Sequence, residues 1–271
     1  MSDAGDGRPL AVVTGASSGI GYELAKVLAE EGFDLMIAAE DDELSQAQAR
    51  LAGVSDGSVD AHRVDLATEA GVIELYRHIA NAERPVEVLA LNAGVGAGGA
   101  FATETDLADE LRLVDLNVRS VVHLAKLVLP EMVERDGGRI LITSSIASTM
   151  PGSFQAVYNA SKSFDQSFAL ALRNELKDTA VTVTAVMPGP TDTEFFQRAD
   201  MEDTRIGAGK KDDPAEVARE GYEALMAGKQ KVVAGSLKNK LQAAAGRAMP
   251  ESMKAKAHRH MAEPGSAKDD S

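Results

Sequence analysis

Leu10-Ala11-Val12-Val13-Thr14-Gly15-Ala16-Ser17-Ser18-Gly19-Ile20-Gly21-Tyr22 decides how the rest of the chain is read. Residues 10–14 are a short aliphatic run that reads as a buried strand, and 15–21 are small and glycine-rich. Residues 22–31 carry apolar side chains at helical spacing and stop at Gly32. Strand, glycine turn and helix in that order let the backbone approach a pyrophosphate, with the unpaired N–H groups of the helix start facing the anion. The spacing Thr14-Gly15-x-x-x-Gly19-x-Gly21 differs from the G-x-G-x-x-G of most dinucleotide folds. A tight turn without ligand is the structural alternative.

The same alternation continues outward. Strand patterns at 35–39, 59–64, 86–91, 139–143, 181–187 and 231–234 are separated by helical patterns at 42–51, 69–82, 106–134 and 156–177. Asp213-Pro214-Ala215-Glu216 reads as a helix start, with an N-cap acid, Pro at the first helical position and Glu at the third. Repeated βα units predict an α/β fold, a Rossmann-type doubly wound parallel sheet of about seven strands with helices on both faces. Residues 1–9 read as a disordered N-terminal arm and 10–236 as a single dinucleotide-binding and catalytic domain. Residues 237–271 read as a basic C-terminal helical extension and flexible tail.

Composition narrows the function classes. The chain has 271 residues, of which 44% are hydrophobic and only 4% aromatic, so one domain with an aliphatic core is expected. Cysteine is absent, which removes disulfides, thiolate metal sites and cysteine nucleophiles. The five histidines show no ligand-like spacing, so no metal is expected, and His258 and His260 read as solvated. No apolar run approaches the roughly 20 residues needed to cross a bilayer, and nothing resembles a secretory leader. A cytoplasmic protein is expected. The net charge of −14 argues against nucleic acid as a general partner.

A second stretch carries chemistry. Tyr158 and Lys162 stand four apart in a helical pattern, so the hydroxyl and the ammonium share one face. A fixed cation favours the phenolate and would pull the tyrosine down from about 10, making a proton donor and acceptor. Ser145 follows the strand pattern at 139–143, which puts its hydroxyl at the carboxyl end of a sheet. Asn117 is polar among Val114, Leu116, Val118, Val121 and Val122, so it either caps local structure or holds a water for function.

Together these residues resemble the short-chain dehydrogenase/reductase family over about residues 10–234. The resemblance implies that Asn117, Ser145, Tyr158 and Lys162 form the catalytic set of an NAD(P)-dependent oxidoreductase interconverting an alcohol and a carbonyl. It further implies a cofactor turn of Thr14, Gly15, Ser17, Ser18, Gly19, Ile20 and Gly21, with Asp65 and Leu66 at the adenine. Asn92, Ala93 and Gly94 would support the sheet beside the cofactor, and Pro188, Gly189, Thr191 and Thr193 would hold the nicotinamide carboxamide. Leu91-Asn92 stands where many members carry two asparagines, a departure from the family pattern. In the implied mechanism Ser145 and Tyr158 bind the substrate oxygen, Tyr158 exchanges the proton, Lys162 holds the nicotinamide ribose and Asn117 positions a water. A non-catalytic nucleotide-sensing or scaffold protein is the alternative on the same fold.

Glu40, Asp41 and Asp42 follow the second strand and would repel the 2′-phosphate of NADP, so NAD(H) is favoured over NADP(H). Members specific for NAD commonly place an Asp where Ala39 aligns. Here Glu40, one residue later, is expected to reach the ribose hydroxyls, the alternative being that the acids cap the next helix. Phe195, Phe196, Met201, Met150, Pro151 and Phe154 either form an apolar wall for a small-molecule alcohol or carbonyl substrate or pack against the sheet. Residues 195–213 read as a mobile lid. The helices at 106–134 and 156–177 carry more apolar positions than one sheet face needs, and a homodimer or homotetramer is expected. From Lys229 onward nine basic residues stand against four acids. Leu237, Leu241, Ala244 and Ala248 then suggest a basic amphipathic helix, packed on the acidic body in preference to a membrane surface.

Overall fold

Seven parallel strands form one sheet in the order β3-β2-β1-β4-β5-β6-β7 in the computed structural model, which describes residues 7–237, 239–241 and 249–267. They are β1 Leu10–Thr14, β2 Asp34–Ala39, β3 Val59–Arg63, β4 Val86–Leu91, β5 Gly138–Thr143, β6 Val181–Pro188 and β7 Lys231–Ala234. Parallel neighbours need a long crossover, and helices supply it. In chain order these are α1 Gly19–Glu30, α2 Leu44–Ala52, α3 Glu69–Asn81, α4 Leu107–Val114, α5 Ser120–Glu134, α6 Ala156–Glu175, α7 Phe195–Arg198, α8 Arg205–Ala208 and α9 Pro214–Met226.

Strand residues alternate between two cores. Leu10 and Val12 join Leu75 of α3 and Leu124 and Val128 of α5, whereas Ala11 and Val13 join Leu24 and Leu28 of α1 and Val217 and Leu225 of α9. Both faces are covered, as a parallel sheet requires. The chain winds from β1 towards β3 and then returns to add β4 on the other side of β1. That reversal opens a crevice beyond the carboxyl ends of β1 and β4, the position where doubly wound sheets bind ligands.

Three local differences from the sequence reading have physical causes. Helix α1 begins at Gly19, so Gly19 and Gly21 fall in its first turn and Gly15 alone of the three precedes it. The helix expected over 106–134 is divided: a π-helical turn, Asp115–Arg119, separates α4 from α5 at the point where the Asn117 side chain bonds to the backbone of Val95. Such single-turn insertions accommodate an extra residue and recur at functional sites. Finally, the expected lid at 195–213 contains the short helices α7 and α8.

The helix start at 213 has the expected form, with the Asp213 side chain accepting from the Ala215 N–H and Pro214 opening the helix. Of the expected C-terminal amphipathic helix, Ala244 and Ala248 lie outside the described residues, and Leu237 and Leu241 are exposed. Within the expected C-terminal extension a helix, α10 at Glu251–Ala262, lies further along than the Leu237–Ala248 pattern suggested and packs against α8. Its Ala262 joins Phe196, Ala199 and Met201 in a third apolar cluster, and the Ser266 hydroxyl accepts from the Arg205 N–H. Among the described residues, no helix is long and apolar enough to cross a membrane.

Gly21 sits where α1 passes closest to the sheet. A Cβ there would lie 2.0 Å from the Gly15 carbonyl oxygen and 2.4 Å from Asn92 Nδ2, both held by backbone. Gly21→Ala is therefore expected to lower the unfolding free energy by at least the about 1–3 kcal/mol typical of an overpacked core. Denaturant titration checks this, and an unchanged midpoint would contradict the close approach.

Candidate active site

The carboxyl ends of β1, β4 and β5 are tied together by Thr14 and Asn92. Thr14 Oγ1 donates to the Ala90 carbonyl at 3.2 Å and accepts from the N–H groups of Asn92 and Ala93. Asn92 Nδ2 donates to the Thr14 carbonyl at 3.1 Å, and its Oδ1 accepts from Thr143 Oγ1 at 3.0 Å. These bonds bring the glycine turn, the Asn92-Ala93-Gly94 segment and the start of the β5 loop around one cavity. Of the site residues expected from the sequence, all except Thr14 and Asn117 line it. Thr14 acts from beneath through the bonds above.

The glycine end fits a pyrophosphate. Gly15 and Gly19 adopt φ of +66° and +57°, and a Cβ on Gly15 would meet the Ala93 backbone at 2.8 Å. The starts of α3, α4 and α9 are each capped by a side chain, from Thr68, Asp106 and Asp213 respectively. Ser18 at the start of α1 makes no such bond, and no acid stands in that first turn. Its N–H groups therefore stay available to an anion.

At the adenosine end the acids differ in their engagements. Glu40 is paired with Arg112, which also grips Asp65 through two N–H···O bonds of 3.0 and 3.2 Å. Burial alone would raise Asp65, but the Arg112 bonds, the Ala67 N–H and the Arg112 charge outweigh it and hold the carboxyl below its usual range. Asp42 is paired with Arg63. Asp41 accepts from Ser17 Oγ at 2.8 Å through Oδ2, while its Oδ1 is buried without a partner among the described residues. An orphaned buried acceptor in a cavity wall suits a hydroxyl donor. Arg112 was not found from the sequence. A basic residue on a helix more than forty positions from either acid leaves no local pattern.

At the other end, Lys162 Nζ donates to the Thr143 carbonyl at 2.9 Å and to Asp165 Oδ2 at 3.0 Å. Tyr158 is buried, with its ring 5.1 Å from that of Phe195. Burial pushes the Tyr158 hydroxyl above the ordinary phenol range; the Lys162 charge and a hydrogen bond from Ser145 oppose this, and the Asp165 charge reinforces it. The Lys162 cation draws the phenol down in the expected direction, but the expectation of a net fall from about 10 is corrected, because desolvation outweighs the cation. Ser145 Oγ accepts from the Ala147 N–H at 3.1 Å, which fixes the hydroxyl at the cavity wall.

Asn117 is 0% exposed and satisfies its amide completely within the protein. Oδ1 accepts from the Val95 N–H, and Nδ2 donates to the Val95 carbonyl and to Ser161 Oγ, whose hydroxyl donates to the Tyr158 carbonyl. The amide therefore couples the π turn to α6.

The substrate side of the cavity is lined by Met150, Phe195, Phe196, Ile206 and Met261, with Gln155 and His258 as polar members. Met201 and Phe154 pack in the third apolar cluster with α7 and α10 instead of against the sheet, and Pro151 is exposed outside the cavity, so the wall reading holds for Met150, Phe195 and Phe196. The reading of His258 as solvated is corrected: it is 2% exposed, and Nδ1 lies 3.0 Å from the Ser153 carbonyl. Burial lowers it below the ordinary histidine range, leaving a neutral ring. His260 is exposed.

Comparison with known proteins adds independent support. A family model described as short chain dehydrogenase matches residues 9–204. Sulfoacetaldehyde reductase 2 of Chromohalobacter salexigens is 33% identical over 192 residues, covering 69% of this chain and 74% of its own. Among solved structures, the NADPH complex of a short-chain dehydrogenase from Sphingobium yanoikuyae superposes with a TM-score of 0.77 at 28% identity, covering 83% of this chain and 87% of its own. The NAD complex of a short chain dehydrogenase/reductase from Burkholderia phymatum superposes with a TM-score of 0.79 at 25% identity, covering 89% and 92%. With the glycine cradle, the sheet topology and the match along most of its length in agreement, the chain belongs to the short-chain dehydrogenase/reductase family of NAD(P)-binding oxidoreductases.

Proposed function

We propose that the protein interconverts an alcohol and a carbonyl, with Tyr158 as general acid and base. The observation that carries this reading is the convergence of Ser145, Tyr158 and Lys162 on the cavity that holds the glycine cradle. A nicotinamide held there would supply or accept the hydride. Ser145 and Tyr158 hold the substrate oxygen, and the phenol oxygen releases its proton to that oxygen in reduction or takes it back in oxidation. Lys162, anchored by Thr143 and Asp165, directs its remaining N–H into the cavity, where a ribose hydroxyl is the fitting acceptor. Asn117 keeps the π turn and α6 in register. Phe195, Phe196, Ile206 and Met261 exclude water and suit an uncharged, largely apolar substrate.

The same reading assigns the dinucleotide to the cavity rim. The turn from Gly15 to Gly21 with Ser17 and Ser18 would cradle the pyrophosphate, Asp65 and Leu66 would hold the adenine, and Pro188, Gly189, Thr191 and Thr193 would hold the carboxamide. The relatives lean towards NADP(H): a Haemophilus influenzae relative is described as NADP-dependent and one solved complex holds NADPH, whereas another holds NAD. For this chain we favour NAD(H), since the acids Glu40 and Asp41 line the cavity after β2 and would repel a 2′-phosphate. With Glu40 engaged by Arg112, the free Oδ1 of Asp41 is the better acceptor for a ribose hydroxyl.

Exposed apolar side chains on α4 to α6, among them Leu107, Leu111, Val122 and Phe164, support pairing of copies through that face. Light scattering at micromolar concentration is expected to show a dimer or tetramer, and a monomer would refute the pairing.

Tyr158→Phe removes only the ionisable oxygen. Turnover is expected to fall on the order of a hundredfold to ten-thousandfold with folding and cofactor affinity retained; a variant keeping more than half of the parent rate would end the assignment. Calorimetric titration is expected to give tighter binding of NADH than of NADPH. In Asp41→Ala the loss of a charge-assisted bond should weaken NADH about ten- to hundredfold. Tighter NADPH binding by the parent protein would overturn the preference.

A further inference from the structure

α10 reaches the cavity from outside the repeated βα units, and one of its contributions there is polar. Lys254, His258 and Ala262 recur every four residues and form its buried face, and His258 and Met261 line the cavity. The His258 ring is held from one side. Nδ1 lies 3.0 Å from the Ser153 carbonyl, which can only accept, so Nδ1 carries the hydrogen. The helix is fixed against the same loop by a bond from Ser153 Oγ to the Ala255 carbonyl at 3.2 Å and by the Arg259 guanidinium 5.1 Å over the Phe154 ring. Burial favours the neutral ring, and among the described residues no acid pairs with it. The charged side chains nearest it on the helix are engaged along α10, Lys254 with Glu251 and Arg259 with Glu263.

A neutral imidazole with its hydrogen on Nδ1 has a bare lone pair on Nε2. Among the described residues no hydrogen bond reaches that nitrogen, although His258 is 2% exposed. Gln155, two residues after Ser153, repeats the pattern: it is 4% exposed, lines the cavity, and its side-chain amide has no partner among the described residues. Around these two the wall is apolar, with Met150, Phe195, Phe196, Ile206 and Met261. Water can serve both groups until a ligand enters. A ligand that displaces the water must reproduce its bonds or leave two buried polar side chains unpaired.

We propose that His258 Nε2 and the Gln155 amide recognise a neutral hydroxyl on the substrate, distinct from the oxygen held by Ser145 and Tyr158. That hydroxyl donates to His258 Nε2 and accepts from the Gln155 amide. The substrate class is thereby narrowed to a hydroxy-ketone or hydroxy-aldehyde, or the corresponding diol, with an apolar spacer between the two oxygens. A carboxylate does not fit, because it has no hydrogen to offer and sets its charge against the lone pair. A methyl in the same place leaves both groups unpaired, and a site built to bond a hydroxyl rejects such an analogue.

The substrate class rests on the proposed alcohol–carbonyl reading, whereas the tautomer of His258 and the binding of a hydroxyl need no turnover. Nitrogen NMR of protein labelled at the histidine ring nitrogens, with His258 assigned by its loss in His258→Asn, is expected to show hydrogen on Nδ1 and a bare Nε2 at neutral pH. Hydrogen on Nε2 overturns the proposal. Calorimetry then measures binding to the cofactor-free protein and to protein saturated with NAD, where a ketone binds but cannot be reduced. The ligands are ω-hydroxy methyl ketones of graded chain length and the same ketones ending in methyl or carboxylate. The best hydroxy-ketone is expected to bind about ten- to hundredfold more tightly than either counterpart. His258→Asn keeps a donor for the Ser153 carbonyl, removes the acceptor and should erase the difference; His258→Gln carries an amide oxygen to the Nε2 position and should restore most of it. Among substrates turned over, the loss in His258→Asn should appear in KM more than in kcat. Hydroxyl binding no tighter than either counterpart in the parent, or a preference that survives in His258→Asn, overturns the proposal, and the parent comparison decides it even if neither variant folds. Hydroxyl-dependent binding in protein that oxidises or reduces none of these compounds upholds His258 and removes the proposed function instead.

Discussion

Everything at the carboxyl edge of the sheet depends on how closely three backbones approach one another. The turn at Gly15 passes against Ala93, Gly21 passes against Gly15, and the Asn92 amide lies between them. No side chain fits in these gaps. The glycines are thus required by the packing of β1, α1 and β4 before any ligand is considered. The same packing leaves the α1 N-terminus uncapped at the crevice, which gives a pyrophosphate both room and donors. Scaffold and cofactor site are in this sense one constraint.

The Tyr158 end of the cavity rests on a balance of opposed effects. Desolvation favours a neutral Tyr158, and Lys162 and Ser145 favour its anion. Because Tyr158, Lys162 and Asp165 are all buried, each charge acts with little screening, and replacing one side chain alters the ionisation of the others. The Asn117 amide links this end to the π turn through Ser161, so the geometry is held by hydrogen bonds between α6, the π turn and the segment after β4.

Much of this was legible in residue order. The βα alternation carried the sheet because aliphatic runs and helical spacing are local signals, and the glycine turn was readable because its spacing and its place after β1 agree. Tyr158, Lys162 and Ser145 were readable for the same reason. What escaped depends on contacts between distant segments. Arg112 reaches Glu40 and Asp65 across the crevice, and α10 brings His258 to the Ser153 carbonyl, more than a hundred residues away in sequence. Asp165 carried a weak local signal, an acid three positions after a lysine on a helix, and its burial gave that spacing its meaning. The break between α4 and α5 was hidden because apolar periodicity continues through it.

The central claim is that this cavity passes a hydride between a nicotinamide and a carbonyl carbon. The most direct measurement follows deuterium from reduced cofactor labelled at the nicotinamide C4 position into product alcohol, across a panel of apolar aldehydes and ketones. The account expects one deuterium on the former carbonyl carbon for each cofactor oxidised, accompanied by a primary isotope effect in single turnover. Cofactor oxidation with solvent hydrogen at that carbon, or no oxidation with any member of the panel despite tight cofactor binding, would contradict it.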